Sequence, residues 1–154
     1  MKCLYEKDFP VPTPIDQNWH AIVMSLVWAY PMTSVSTIAH PEKVYIELIN
    51  LIVWLAENGL IHGDFNEFNL MIDDEEKITL IDFPQMVSTD HQRAIEFFNW
   101  DINCIWIYFE WKYGLIHEVV PWLETDIEWI ADLDKEMWAS GFMKENLKDL
   151  DDLD

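Results

Sequence analysis

The stretch from Leu60 to Asp82 constrains the fold more than any other part of this 154-residue chain. Residues Leu60 to Asn69 follow a pattern too irregular for a helix or a strand. Two short apolar runs come next, Leu70-Met71-Ile72 and Ile78-Thr79-Leu80-Ile81, with the acidic turn Asp73-Asp74-Glu75-Glu76 between them. Apolar runs joined by a polar turn predict a β-hairpin. The far strand of such a hairpin brings Asp82 back beside Asp64 and Asn69. One carboxylate, one amide and a second carboxylate then converge on one point.

Elsewhere the pattern is mostly helical. Val44, Leu48, Leu51, Ile52 and Leu55 recur at three- and four-residue spacing and form one stripe. Pro41 suits a first helical turn and Gly59 the residue past the end, so a helix is predicted over 41–58. Residues 91–113 read as a second long helix ending near Gly114. A third is predicted from Glu124 to Ala139, stopping at Gly141. Pro10, Pro12 and Pro14 favour an extended, surface-running segment over 6–19. His20 to Val27 reads as a short apolar strand buried on both faces, ended by Tyr30-Pro31. The last residues, from Lys148, form an acidic tail expected to fray.

Composition excludes several classes. The chain has one domain's worth of residues, and 51% of them are hydrophobic, so most of it can build a core. Acids outnumber bases 29 to 9, a formal charge of −20 that argues against a nucleic-acid or anionic-membrane surface. No segment reaches the ~18 unbroken apolar residues of a membrane span. The N-terminus lacks the apolar region of a signal peptide, so a soluble, intracellular protein is expected. Cys3 and Cys104 read as free thiols, which fits a reducing compartment. His20, His40, His91 and His117 lack metal-like spacing with one another. Asp73 to Glu76 lacks the glycine and ligand order of a calcium loop and reads as a solvated turn. Nine tryptophans stand against the single arginine Arg93. Trp111 lies between Glu110 and Lys112, and Trp129 follows Glu128, positions that suit a long polar side chain. The pattern suggests tryptophan at sites that once held arginine.

The chemistry sits between His62 and Gln85. Asn69 follows Asp64 by five residues and Asp82 follows it by eighteen. Phosphoryl transfer needs such a set: one carboxylate to position or deprotonate an attacking hydroxyl, and an amide with a second carboxylate to hold Mg²⁺. Kinase signatures place the metal-binding Asn five residues after the catalytic Asp, and Asp82-Phe83 stands where D-F-G begins, with Pro84 in place of its glycine. His62 reads as a structural brace of the loop rather than a base.

His62-Gly63-Asp64-Phe65-Asn66-Glu67-Phe68-Asn69, with Ile81-Asp82-Phe83-Pro84-Gln85-Met86-Val87-Ser88, resembles the RIO family of atypical protein kinases. The strings Phe-Asn-Glu-Phe-Asn and Asp-Phe-Pro-Gln-Met-Val-Ser are similar to its RIO kinase 2 branch. So are Phe9-Pro10-Val11-Pro12, Pro14-Ile15-Asp16 and Ala139-Ser140-Gly141-Phe142. The resemblance covers nearly the whole chain, from Met1 to Phe142. It implies an α+β fold: the large, mainly helical lobe of a protein-kinase-like fold with short β-hairpins. On that reading residues 1–145 form the lobe, including a hinge strand over 20–27 and a catalytic region over 60–88, and 146–154 the acidic tail. It implies Asp64 as catalytic aspartate, and Asn69 and Asp82 as metal-binding residues. It also implies Asp82 as a transient phosphoryl acceptor, and Met24, Ser25, Leu26 and Val27 as the hinge against adenine. Asp101 matches a helix aspartate that braces the catalytic loop. ATP and Mg²⁺ are the implied cofactors. The implied role is serine/threonine kinase or ATPase in maturation of the small ribosomal subunit, in the cytoplasm or also the nucleus. The resemblance starts partway into the kinase, so the small lobe, with its glycine-rich loop and lysine, and the preceding winged-helix module are expected to be absent and activity impaired. Ser25 stands where a hinge Glu is expected, and Trp28-Ala29 replaces a small turn-forming pair.

Two other readings stay open. One is a non-catalytic or decayed lobe that serves, if at all, as an interaction module. The other is a small-molecule kinase of the aminoglycoside or choline phosphotransferase sort, which shares the His-Gly-Asp loop. The Phe-Pro-Gln-Met-Val-Ser continuation argues against it.

Overall fold

The computed structural model describes residues 1–18, 21–116, 121–128, 130 and 133. The chain starts with a short helix α1 (Lys2–Glu6), whose Leu4 is buried. The proline-rich segment after it is not wholly irregular. It contains strand β1 (Pro14–Gln17), which pairs antiparallel with β2 (Ile22–Met24) through Asp16↔Val23 and Gln17↔Ile22. This corrects the expectation of a strand buried on both faces. β2 has one pairing partner, in a two-stranded ribbon, and Ile22, Val23 and Met24 are all exposed. An apolar run alone cannot separate a buried strand from one on a ribbon.

Strand β3 (Tyr30–Pro31) leads through a 3-10 turn (Met32–Ser34) to helix α2 (Pro41–Glu57). Pro41 starts α2, and Gly59, at φ +81°, follows its end. All five residues of the predicted stripe are buried. Strand β4 (Leu60–Ile61) follows, and then strands β5 (Leu70–Ile72) and β6 (Ile78–Leu80) form the expected hairpin, in register Leu70↔Leu80, Met71↔Thr79 and Ile72↔Ile78. β3 adds to the other edge of β5. Strand β7 (Val87–Ser88) returns to pair with β4.

Helix α3 (Ala94–Tyr113) ends at Gly114 in the left-handed conformation, φ +67°. α2 and α3 pack on each other, and the core between them and the hairpin includes Leu48, Leu55, Phe65, Leu80, Phe98 and Phe109. The expected third helix does not begin at Glu124: residues 124–128 form a turn and irregular chain, and within the expected range Leu133 is helical. Thr125 and Asp126 bond back to the Trp122 carbonyl, and Asp126 Oδ2 accepts the Trp122 N–H at 2.8 Å. The amides of Ile130 and Leu133 donate to the carbonyls of Glu57 and Asn58, covering the end of α2. The rest of that stretch, Gly141-Phe142 and the acidic tail lie outside the described residues.

Of the tryptophans, Trp28, Trp100, Trp111 and Trp122 are exposed, whereas Trp54 stacks on Phe9 with ring centroids 3.9 Å apart. Among the described residues no helix is long and apolar enough to cross a membrane.

Candidate active site

Two pairings close the ends of the site. The β5–β6 hairpin holds one end, and the β4–β7 pair, Leu60↔Ser88 and Ile61↔Val87, holds the other. Between them run the loop 62–69 and the segment 81–86. They are stitched together: the Ile81 N–H donates to the Asn69 carbonyl at 3.0 Å. Gly63, at φ +79°, approaches the Gln85 carbonyl so closely that a Cβ there would lie 2.9 Å from that oxygen. Any other residue would be both strained and crowded at this point.

The loop's shape comes from a buried carboxylate. Asp101, on α3 and fully buried, accepts the Gly63 N–H on Oδ2 and the Phe65 N–H on Oδ1, each at 2.9 Å. Phe65 is buried in the core, which anchors the turn from below. Burial, with the charge of nearby Asp64 adding to it, pushes the Asp101 pKa up to about 6 against the pull of the loop's N–H donors. The carboxylate thus ties loop to helix at some electrostatic cost.

Asp64 and Asn69 meet. Asn69 Nδ2 donates to Asp64 Oδ2 at 2.8 Å and to the Asp64 carbonyl at 2.9 Å. Asn66 Nδ2 donates to the other carboxylate oxygen at 2.7 Å. Asn66 was not singled out from the sequence. The signal was available, because its Oδ1 also accepts the Phe68 N–H at 3.0 Å, the turn that asparagine favours. Since Asn69 spends its Nδ2 on Asp64, its Oδ1 remains as the atom offered to a cation.

Asp82 joins from the far strand. It is exposed and takes φ +65°, a left-handed conformation uncommon for a residue with a Cβ. His62 is buried beneath, edge-on to Phe65 and Phe83 at 5.7 Å and 6.1 Å. Burial lowers its pKa, and the charges of both Asp64 and Asp82 oppose that shift. His62 packs against these two phenyl rings.

The segment expected as the hinge, Met24 to Val27, begins at the end of β2. Met24 and Leu26 are exposed, and Ser25 is tied to Thr13 by its own N–H to the Thr13 carbonyl, at 2.9 Å, and by the Thr13 N–H to its Oγ, at 3.0 Å. Those bonds belong to the β1–β2 ribbon. Trp28, just beyond, is 86% exposed.

Asn69 Oδ1 and the Asp82 carboxylate offer oxygen donors of the kind a hard divalent cation takes. Among the described residues no Lys or Arg forms an ion pair with Asp64 or Asp82. The arrangement offers an oriented carboxylate at Asp64 and an exposed one at Asp82. A cavity of about 680 Å³ lies away from the cluster, between the Val35–His40 segment and the acidic hairpin turn.

Residues 1–120 match the RIO domain family. The serine/threonine-protein kinase rio2 of Dictyostelium discoideum is 55% identical over 153 residues, 99% of this chain and 29% of that protein. The rio2 kinase of Schizosaccharomyces pombe is 43% identical over 98% of this chain and 44% of its own. The solved Rio2 kinase of Chaetomium thermophilum, described as an ADP/Mg²⁺-phosphoaspartate complex, superposes with a TM-score of 0.84 at 44% identity, covering 97% of this chain and 49% of that one. The chain therefore spans half or less of the length of these relatives. Its α+β architecture is that of a protein-kinase-like fold, and the chain belongs to the RIO domain family, on the Rio2 kinase branch.

Proposed function

We propose that this chain carries the large-lobe half of a RIO-type serine/threonine kinase or ATPase site. The observation that supports it is the bond from Asn69 to the Asp64 carboxylate at 2.8 Å, on a loop held by Asp101. Asn66 and Asn69 hold Asp64 in one orientation, ready to align an attacking hydroxyl or water and receive its proton. Pre-set geometry of this kind is most of what an enzyme supplies in phosphoryl transfer. Asn69 Oδ1 and the Asp82 carboxylate would hold Mg²⁺, which neutralises charge on the phosphates when bound. Met24 to Val27 would contact adenine with backbone groups.

Asp82 is the proposed phosphoryl acceptor, a reading supported by the phosphoaspartate named in the Chaetomium complex. One Asp82 oxygen attacks the γ-phosphorus of ATP. The bond from that phosphorus to the β,γ-bridging oxygen breaks, and its electron pair leaves with ADP. Water, aligned by Asp64, then attacks the phosphorus of the acyl phosphate, yielding phosphate and the free carboxylate. The biological setting proposed is small ribosomal subunit maturation, in the cytoplasm or also the nucleus.

The test is calorimetric titration of the folded chain with ATP, with and without Mg²⁺, beside Asp82→Ala. Saturable binding that needs both Mg²⁺ and Asp82 is expected. A folded chain giving no heat would overturn the proposal in favour of a non-catalytic lobe. That second reading draws on the exposed hinge ribbon and on the lack of any glycine-rich phosphate motif in the 154 residues.

A further inference from the structure

Helix α3 is apolar on two faces. Ala94, Phe98, Ile102, Ile105 and Phe109 face the core. Trp100, Cys104, Ile107 and Trp111 recur at spacings of four, three and four. At 3.6 residues per turn they share one arc of about 60°, turned away from the core face. Trp111 is 92% exposed, Trp100 60% and Ile107 54%. A surface helix ordinarily shows polar side chains there. A continuous apolar row with a polar border marks an interaction surface.

The row is about 16 Å long, three helical turns. Beside it opens a cavity of about 560 Å³, lined by Thr33, Glu67, Cys104, Ile107, Tyr108 and Trp111 along with Lys112. That lysine is turned inward: its Nζ donates to the Val35 carbonyl and the Tyr108 hydroxyl and lies over the Tyr108 ring. The outward charge is acidic, with Glu110 beside Trp111 and Glu67 at the cavity.

Charge selects the occupant. The chain carries −20, so a second copy would present another acidic molecule, and an anionic membrane would be repelled in the same way. A helix with apolar side chains at i, i+4 and i+7, flanked by Lys or Arg, matches both the row and its border. We propose that this face of α3 docks a basic amphipathic helix of a partner protein, with one large apolar side chain of that helix filling the cavity beside Glu67. Glu67 lies three residues after Asp64, so the docked helix sits against the loop that carries the candidate site. The proposal does not depend on the kinase reading, because it is measured as binding.

The probe is a fluorescein-labelled Leu/Lys peptide of about 18 residues, long enough to form an amphipathic helix, titrated with the whole chain at about 0.15 M salt and read by anisotropy. A scrambled peptide of the same composition and a Leu/Glu helix serve as controls. Saturable binding of the Leu/Lys helix alone is expected. Trp111→Ser and Ile107→Ser should each weaken it at least about tenfold, as expected for anchors of an interface. Trp28→Ser, on another surface, should leave it unchanged. Trp111 is so exposed that its serine variant keeps the fold, which circular dichroism verifies. No binding, equal binding of the scrambled peptide, the same loss in Trp28→Ser, or a Trp111-dependent dimer in sedimentation would each overturn the proposal.

Discussion

The loop from His62 to Asn69 and the ribbon from Pro14 to Val27 are the two halves of the proposed site, and they are built differently. The loop is over-determined. A buried carboxylate on α3 holds two of its amides, Phe65 roots it in the core, Gly63 touches the Gln85 carbonyl and Ile81 bonds the Asn69 carbonyl. The ribbon has its own cross-strand bonds and the Thr13–Ser25 tie, and its apolar side chains are largely in solvent. The groups proposed to align phosphate and metal are thus set by long-range contacts within this chain. The groups proposed to meet adenine depend mainly on local pairing, which alone stabilises a two-stranded ribbon only marginally.

The contrast is broken most severely at Asp101. Asp101→Ala leaves the Gly63 and Phe65 amides without their acceptor and should cost roughly 3–5 kcal/mol in urea unfolding, as expected when two amides each lose a buried acceptor at roughly 1–3 kcal/mol per group. An equivalent lesion in the ribbon, Ser25→Ala, should cost less than about 1 kcal/mol, because its bond is exposed.

Next in size is a pH effect. The folded pKa of Asp101, about 6, lies above its ordinary value of 3.8, so between those values the folded state binds the proton more tightly than the unfolded one. Asp101 therefore favours folding below about pH 4, and this advantage is lost as pH rises towards 6. The stability of the wild type minus that of Asp101→Asn should fall across this window, by roughly 3 kcal/mol at most, and stay flat above it. His62 shifts the other way. Its lowered pKa makes a contribution present above its unfolded value and lost as pH falls through the folded one, and it cancels in this difference.

A smaller effect separates stability from function at Asp82. Asp82→Gly relieves the positive φ and should raise stability by up to about 1 kcal/mol while abolishing Mg²⁺-dependent nucleotide binding. Denaturation and calorimetry on one sample check both signs. The smallest effect belongs to the ribbon's flank: Trp28→Ser should change stability by less than about 0.5 kcal/mol, because Trp28 is 86% exposed.

The same division governs what could be read from the residues alone. Helix α2 was legible because its stripe, Pro41 and Gly59 agree on one answer, and the hairpin because its two apolar runs flank a polar turn. Asp64 and Asn69 were legible as a pair, and the resemblance brought Asp101 to their loop. The β4–β7 pair was missed because strands of two residues have no periodicity to detect. The exposure of β2 was missed because burial is decided by what covers a strand, which its own residues do not encode. The turn after Leu123 was read as helix, but Asp126 there bonds the Trp122 amide and offers the backbone a competing structure.

The most direct measurement is native-state hydrogen exchange of the whole chain, compared between the two regions. The amides of Gly63 and Phe65, held by Asp101, should exchange only with global unfolding, while those of Gln17 and Ser25 in the ribbon exchange orders of magnitude faster. Equal rates in the two regions would contradict the claim that this chain presets the Asp64 loop by itself.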